Sequence, residues 1–267
     1  MVNRKFEHLV RAYGAAFRRH SMEWLLPERC HICDGPSQTT QALCKECHLA
    51  LYNQRLTVLS SCARCALPLT AEATSSVFCA WCIRQRPLFE RCIAANVYAS
   101  HSARLVNSLK HSMQLPAARI IADEMARSIK TFYGADPSRQ SSASIPISHV
   151  DLVVPVPLHQ RRLRQRGFNQ AIEIGKPLCR QLSLPLALNA CQRLRDAHSQ
   201  QGLSRRQRAR NLRGAFTATC EVTGKHVALL DDVVTTTSTA NAAAQSLLDA
   251  GAISCEVWCF ARTPAPD

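Results

Sequence analysis

Eight cysteines in four C-x-x-C pairs constrain this chain more than any other feature. The pairs are Cys30 and Cys33, Cys44 and Cys47, Cys62 and Cys65, and Cys79 and Cys82. A C-x-x-C turn aims two thiolates at one point. Two such turns supply four sulfurs for a closed tetrahedral zinc site, which is structural rather than catalytic. Within each half the loop between pairs is short, which favours sequential pairing into two ribbons. An interleaved, cross-braced pairing also satisfies the spacing. A metal replaces a hydrophobic core, so regular elements in residues 28–85 should be short. Redox-active C-x-x-C pairs are the competing reading, but no thioredoxin-like context surrounds these. His31 and His48 adjoin ligand positions and, as neighbours of them, point elsewhere. Cys92, Cys179, Cys191, Cys220, Cys255 and Cys259 are unpaired by spacing and read as buried small apolar residues.

The remaining bulk properties narrow the class. With 267 residues, 46% of them hydrophobic, a sizeable core is available. No run approaches the roughly 18 apolar residues of a membrane helix. Residues 1–20 carry charges inside their apolar pattern and no small-residue cleavage site, so a cytoplasmic location is expected. In residues 3–20, Phe6, Leu9, Val10, Tyr13 and Phe17 share one face of a basic amphipathic helix. The formal charge of +14 attracts polyanions, namely nucleic acid, phosphorylated metabolites or anionic lipid.

Beyond the cysteines the pattern changes. Residues 92–99 alternate as a strand. Helices are expected at about 101–113 and 117–133, with Pro116 between them. Residues 134–149 read as a flexible loop or linker. Then come a strand at 152–156, a helix at 169–182, a strand at 227–230, a helix at 239–250 stopped by Gly251, and a strand at 256–261. That rhythm implies βαβ units and a parallel sheet. The expected division is an N-terminal helix (1–27), a Cys-rich zinc-ribbon module (28–91) and an α/β domain (92–267).

The richest segment is residues 227–252. An apolar strand delivers Asp231 and Asp232 at its C-terminal end, the edge where open parallel sheets bind ligands. Thr235, Thr236, Thr237, Ser238 and Thr239 then open a helix, where free backbone N–H groups and hydroxyls make an anion site. Carboxylates beside such a site call for hydroxyls or a cation, which a ribose phosphate and magnesium supply. The segment resembles the phosphoribosyl pyrophosphate (PRPP) motif of type I phosphoribosyltransferases. That resemblance implies that Asp231 and Asp232 bind ribose and magnesium, and that residues 235–239 hold the 5′-phosphate. The family loop normally has glycine where Thr237 stands, and a β-branched residue there reshapes the phosphate site.

Two arginine clusters accompany it. Arg161, Arg162, Arg164 and Arg166 follow the strand ending at Pro155 and Pro157, and precede Gly167-Phe168-Asn169-Gln170. Arg205, Arg206, Arg208, Arg210 and Arg213 lie in residues 200–216. Guanidinium forks suit phosphate oxygens, either of pyrophosphate or of a nucleic-acid backbone. These segments, with Leu109-Lys110-His111, the paired cysteines and the ending Val257–Pro264, resemble the ComF family, GntX proteins included, over about 28–133 and 151–263. The resemblance implies an N-terminal zinc module joined to a type I phosphoribosyltransferase-like parallel sheet with helices on both faces. It further implies PRPP with magnesium, pentosyl transfer, single-stranded DNA in uptake or utilisation, and a helicase-like competence partner. Residues 200–216 also resemble the mobile loop that closes over PRPP in related amidotransferases. No general base stands out, since Thr235 occupies the position where many such transferases carry an acid. A non-catalytic zinc-ribbon protein that binds nucleic acid, with a vestigial or regulatory phosphosugar site, is the alternative.

Overall fold

The computed structural model describes residues 29–37, 42–57, 59–69, 77–111, 115–134, 147–195, 212 and 214–265. The expected N-terminal helix at 3–20 and most of the expected linker at 134–149 fall outside these residues. The chain divides into two compact units, residues 1–50 and 51–267.

In the first unit a knuckle begins at the bridge between Arg29 and Pro36. Its second cysteine pair sits at the start of helix α1 (Lys45–Tyr52). In the second unit the same knuckle recurs at the bridge between Ser61 and Pro68, followed by α2 (Ala80–Arg84). The helices are short, as expected of a fold in which metal replaces core.

The α/β part follows as β1 (Cys92–Val97), α3 (Ser100–His111), α4 (Leu115–Phe132), β2 (Leu152–Pro155), α5 (Gln160–Arg166) and α6 (Gln170–Leu182). It continues with β3 (Cys191–Arg193), β4 (Phe216–Ala218), β5 (His226–Val234), α7 (Ser238–Asp249) and β6 (Ser254–Arg262). Four strands form one parallel sheet in the order β1-β6-β5-β2. All nine residues of β6 are buried, which is why its sequence reads as a nearly continuous apolar run.

Successive side chains alternate between the two faces of the sheet. Cys92 and Ala94, Leu152 and Val154, Val227 and Leu229, and Cys255, Val257 and Cys259 share one core with Ala240, Ala243, Ala244 and Leu247 of α7. The second cysteine quartet belongs to that same core. The alternate residues, Val153, Ala228, Leu230, Trp258 and Phe260 among them, are equally buried. Helices α4 and α6 pack on each other and on the strands. Residues 55–56 bridge to β1 along its open edge, where the Leu56 N–H donates to Ala95 O at 3.0 Å.

Three differences from the sequence reading have physical causes. β5 runs four residues past the apolar stretch, through both aspartates, because β6 pairs with it as far as Val234 and Arg262. The first arginine cluster, read as part of a connection, is helical. The His159 ring accepts from Arg161 N at 3.3 Å at the start of α5, and Gly167 takes the left-handed conformation that ends it. Strands β3 and β4, three residues each, are too short to show a period in the sequence. Among the unpaired cysteines, Cys92, Cys179, Cys191, Cys255 and Cys259 are buried, but Cys220 is exposed in a 3-10 turn. Among the described residues no helix is long and apolar enough to cross a membrane.

Candidate functional site

The cysteines converge as two quartets. The sulfurs of Cys30, Cys33, Cys44 and Cys47 lie within 4.8 Å of one another, as do those of Cys62, Cys65, Cys79 and Cys82. Pairing is therefore sequential. A zinc–sulfur bond of about 2.3 Å implies tetrahedral sulfur–sulfur edges of about 3.8 Å. The Cys33–Cys44 and Cys65–Cys79 edges measure 3.7 and 3.6 Å. Both knuckles are built alike. Cys30 N donates to Gly35 O and Cys62 N to Leu67 O, each at 2.8 Å. Asp34 and Ala66 occupy the matching positive-φ corner at 57° and 53°. Backbone N–H groups also face the sulfurs, with Cys47 N to Cys44 Sγ at 3.4 Å and Cys79 N to Cys62 Sγ at 3.2 Å. Such donors favour thiolate. In the second quartet, hydrogen bonds from Cys65 and then Cys82 hold Cys62 far below the usual thiol range. The contacts with Cys62 and then Cys65 push Cys82 far above it. Four thiolates at this spacing require a cation, and the donor set and edges fit zinc in both quartets.

At the C-terminal edge of the sheet, Asp231 is half-buried and Asp232 buried. Asp232 N donates to Asp231 Oδ1 at 2.8 Å, and Val233 N to Asp232 Oδ1 at 2.7 Å. Lys110 Nζ lies 2.8 Å from Asp232 Oδ2, an ion pair without hydrogen-bond alignment. Burial, and next the charge of Asp232, raise the Asp231 carboxyl well above the usual carboxylate range, while Lys110 lowers it. The hydroxyl loop follows. Thr237 caps α7 at φ 61° and ψ −8° and is buried, with Oγ1 donating to Thr236 O at 2.5 Å. Thr236 Oγ1 donates to Ser238 Oγ at 3.2 Å. Thr237 thus adopts the left-handed backbone that glycine adopts without strain.

Strand β2 pairs with β5 from Leu152 to Pro155, and Val156 N donates to Leu230 O at 2.8 Å. The Pro155–Arg166 segment therefore leaves the sheet beside the acidic pair. Arg161 and Arg164 are exposed, and Arg162 and Arg166 half-buried. Arg166 Nη1 donates to Gln170 Oε1 at 3.2 Å. Asn169 anchors the turn by donating to Val156 O at 3.0 Å and by capping α6 at Ala171 N. An open pocket of about 380 Å³ lies behind this segment, lined by Pro157, Leu163, Phe168, Ile172 and Leu188 among others. Arg205, Arg206, Arg208, Arg210 and Arg213 lie outside the described residues.

A double zinc ribbon family profile matches residues 21–86, which span both quartets. Over 239 residues the chain is 33% identical to the DNA utilization protein YhgH of Escherichia coli K12, covering 89% of this chain and 98% of that protein. The chain belongs to the ComF family. It is also 28% identical over 238 residues to competence protein F of Haemophilus influenzae, covering 88% of this chain and 96% of that one.

Two residues of this ComF protein had no role in the sequence reading. Lys110 stood there only as part of Leu109-Lys110-His111. Its signal was a cation at the C-terminal end of a helix, which is common on any surface. Arg262 stood only in the terminal apolar run. It is 1% exposed and donates to four backbone carbonyls, those of Cys65, Val234, Thr235 and Thr263. An arginine inside an apolar strand was the available signal, since an unpaired charge is almost never buried there.

Proposed function

We propose that the C-terminal sheet edge binds PRPP with magnesium and that this cytoplasmic protein serves the uptake or utilisation of single-stranded DNA. One observation carries the phosphosugar half. A carboxylate pair, a hydroxyl loop at the start of α7 and an arginine helix leave the same edge of adjacent parallel strands. Asp231 and Asp232 meet the ribose hydroxyls, and Thr235, Thr236, Thr237, Ser238 and Thr239 meet the 5′-phosphate. Arg161, Arg162, Arg164 and Arg166 hold the pyrophosphate, and Arg205, Arg206, Arg208, Arg210 and Arg213 offer further guanidinium groups to pyrophosphate or to a nucleic-acid backbone. Magnesium, when bound, neutralises pyrophosphate charge. Transfer would form a bond from an acceptor to the anomeric carbon as the bond between that carbon and the pyrophosphate oxygen breaks; intact pyrophosphate leaves, and the proton of the acceptor must go to a base. The names and near-full-length identity of the relatives support the DNA half. The ribbons and arginines supply backbone contacts that weaken steeply with salt. With three Trp and four Tyr in the chain, an extended stacking platform is not expected. A helicase-like competence protein is the proposed partner.

The second reading is a non-catalytic nucleic-acid-binding protein with a regulatory or vestigial site. The self-satisfied site favours it: Lys110 already neutralises Asp232, and the Thr237 hydroxyl is turned onto Thr236 O. Titration calorimetry of PRPP with magnesium into the zinc-loaded full chain decides between them. Saturable heat that is lost in Asp231→Asn/Asp232→Asn, with single-stranded DNA binding retained, supports the first reading. No heat at millimolar PRPP leaves the second. Absence of DNA binding even at low salt overturns the nucleic-acid half of both.

A further inference from the structure

The two zinc quartets look alike locally but differ in what lies next to them. Within the second unit, Arg262 Nε donates to Cys65 O at 2.9 Å. The Nη1 of the same guanidinium donates to Val234 O at 3.1 Å and Thr235 O at 2.5 Å, where β5 becomes the hydroxyl loop. Thr263 N donates back to Val234 O at 3.1 Å. A second tether runs from Leu88 N, just after the second quartet, to Asn241 Oδ1 in the first turn of α7, at 2.7 Å. Cys62, Cys65, Cys79 and Cys82 share a core with Val234, Ala240 and Ala244. No described carboxylate forms an ion pair with Arg262, although it is buried.

A buried guanidinium needs compensating charge as well as carbonyls. Four thiolates and one divalent zinc carry a net charge of about −2, and that dianion would lie beside the guanidinium, which bonds the Cys65 carbonyl. We infer that Arg262 is a positioning residue through which metal in the second quartet sets the backbone of the Thr235–Thr239 loop, so that this loop's ligand affinity depends on that metal. The first quartet lies in the other compact unit. Metal loss from the second quartet frees Cys65 and removes the dianion, so the Arg262 clamp loses both its anchor and its counter-charge. Metal loss from the first leaves the clamp intact. The second ribbon is thereby part of the phosphosugar site's frame.

The test compares the zinc-loaded full chain with Cys33→Ser, Cys82→Ser and Arg262→Lys, each checked for zinc per chain and for folding by near-ultraviolet circular dichroism. The first readout is amide hydrogen exchange of residues 234–241 without ligand. Cys82→Ser and Arg262→Lys are expected to raise exchange there about tenfold, with Cys33→Ser at wild-type rates. The second readout, PRPP–magnesium calorimetry, rests on the proposed function and is expected to show about tenfold weaker binding in the same two variants. Unchanged exchange in Arg262→Lys, or equal effects of the two cysteine variants, overturns the inference. If Cys82→Ser does not fold, Arg262→Lys decides alone. If wild type binds no PRPP, the phosphosugar reading fails while the exchange data still decide the coupling.

Discussion

Replacing Thr237 tests whether the hydroxyl loop stores backbone strain. An L-residue in the left-handed region costs roughly 1–2 kcal/mol, because Cβ crowds the following carbonyl. Thr237 sits there at φ 61°. Glycine removes that cost but gives back roughly 0.5–1 kcal/mol through its greater freedom in the unfolded chain. Alanine keeps the strain. Both substitutions lose the γ-methyl and the hydroxyl, and they differ from each other only in Cβ, the atom that the left-handed backbone crowds. Thr237→Gly should therefore be more stable than Thr237→Ala by roughly 0.5–1 kcal/mol, the reverse of their order in a helix interior. For a unit of this size that corresponds to about 2 °C in Tm. Differential scanning calorimetry at saturating zinc, so that metal binding does not differ between samples, reads this directly. An alanine variant as stable as the glycine variant would refute the strain argument. The glycine variant also removes the Cβ and hydroxyl at the cap while keeping the left-handed backbone, so PRPP should bind at least as tightly as to the threonine protein.

Three further outcomes follow from the geometry. Lys110→Met should destabilise by about 2 kcal/mol, below the roughly 3–5 kcal/mol of a fully buried pair. The Lys110 side chain keeps 20% of its surface exposed against 11% for Asp232. Adding Asp232→Asn should recover most of the loss in a urea double-mutant cycle, and strict additivity would show that the pair contributes nothing. Glu256 accepts hydrogen bonds from Tyr133 and from Trp258 Nε1, and burial raises its carboxyl. Folded protein then binds this proton more tightly than unfolded chain, so stability declines as pH rises from the ordinary carboxylate value through the folded one. Glu256→Gln should flatten that decline, and an unchanged slope in denaturation midpoints against pH would sink the assignment. Elemental analysis should find two zinc ions per chain, falling by one in Cys33→Ser; less than one in the wild-type protein would contradict both quartets.

What the sequence by itself determined rests on short-range rules. C-x-x-C spacing is a local device, so the eight sulfur ligands could be named from residue order alone; loop length only favoured sequential pairing, and the convergence of the sulfurs decided it. The βαβ rhythm was legible because strands buried on both faces are apolar throughout, and because Asn169 and Gly251 sit at helix ends. The aspartates and the hydroxyl run were visible as residues. Their mutual placement was not, because it depends on strand order: β2 becomes the neighbour of β5 only when the chain folds back between Pro155 and His226. Tertiary structure alone decided three matters. β5 continues through polar residues because β6 supplies hydrogen-bond partners that its own sequence does not reveal. Lys110 meets Asp232 across 122 positions of chain. Arg262 reaches Cys65 across 197 residues, a contact that no local pattern encodes, and it makes one of two similar-looking ribbons part of the frame around the hydroxyl loop.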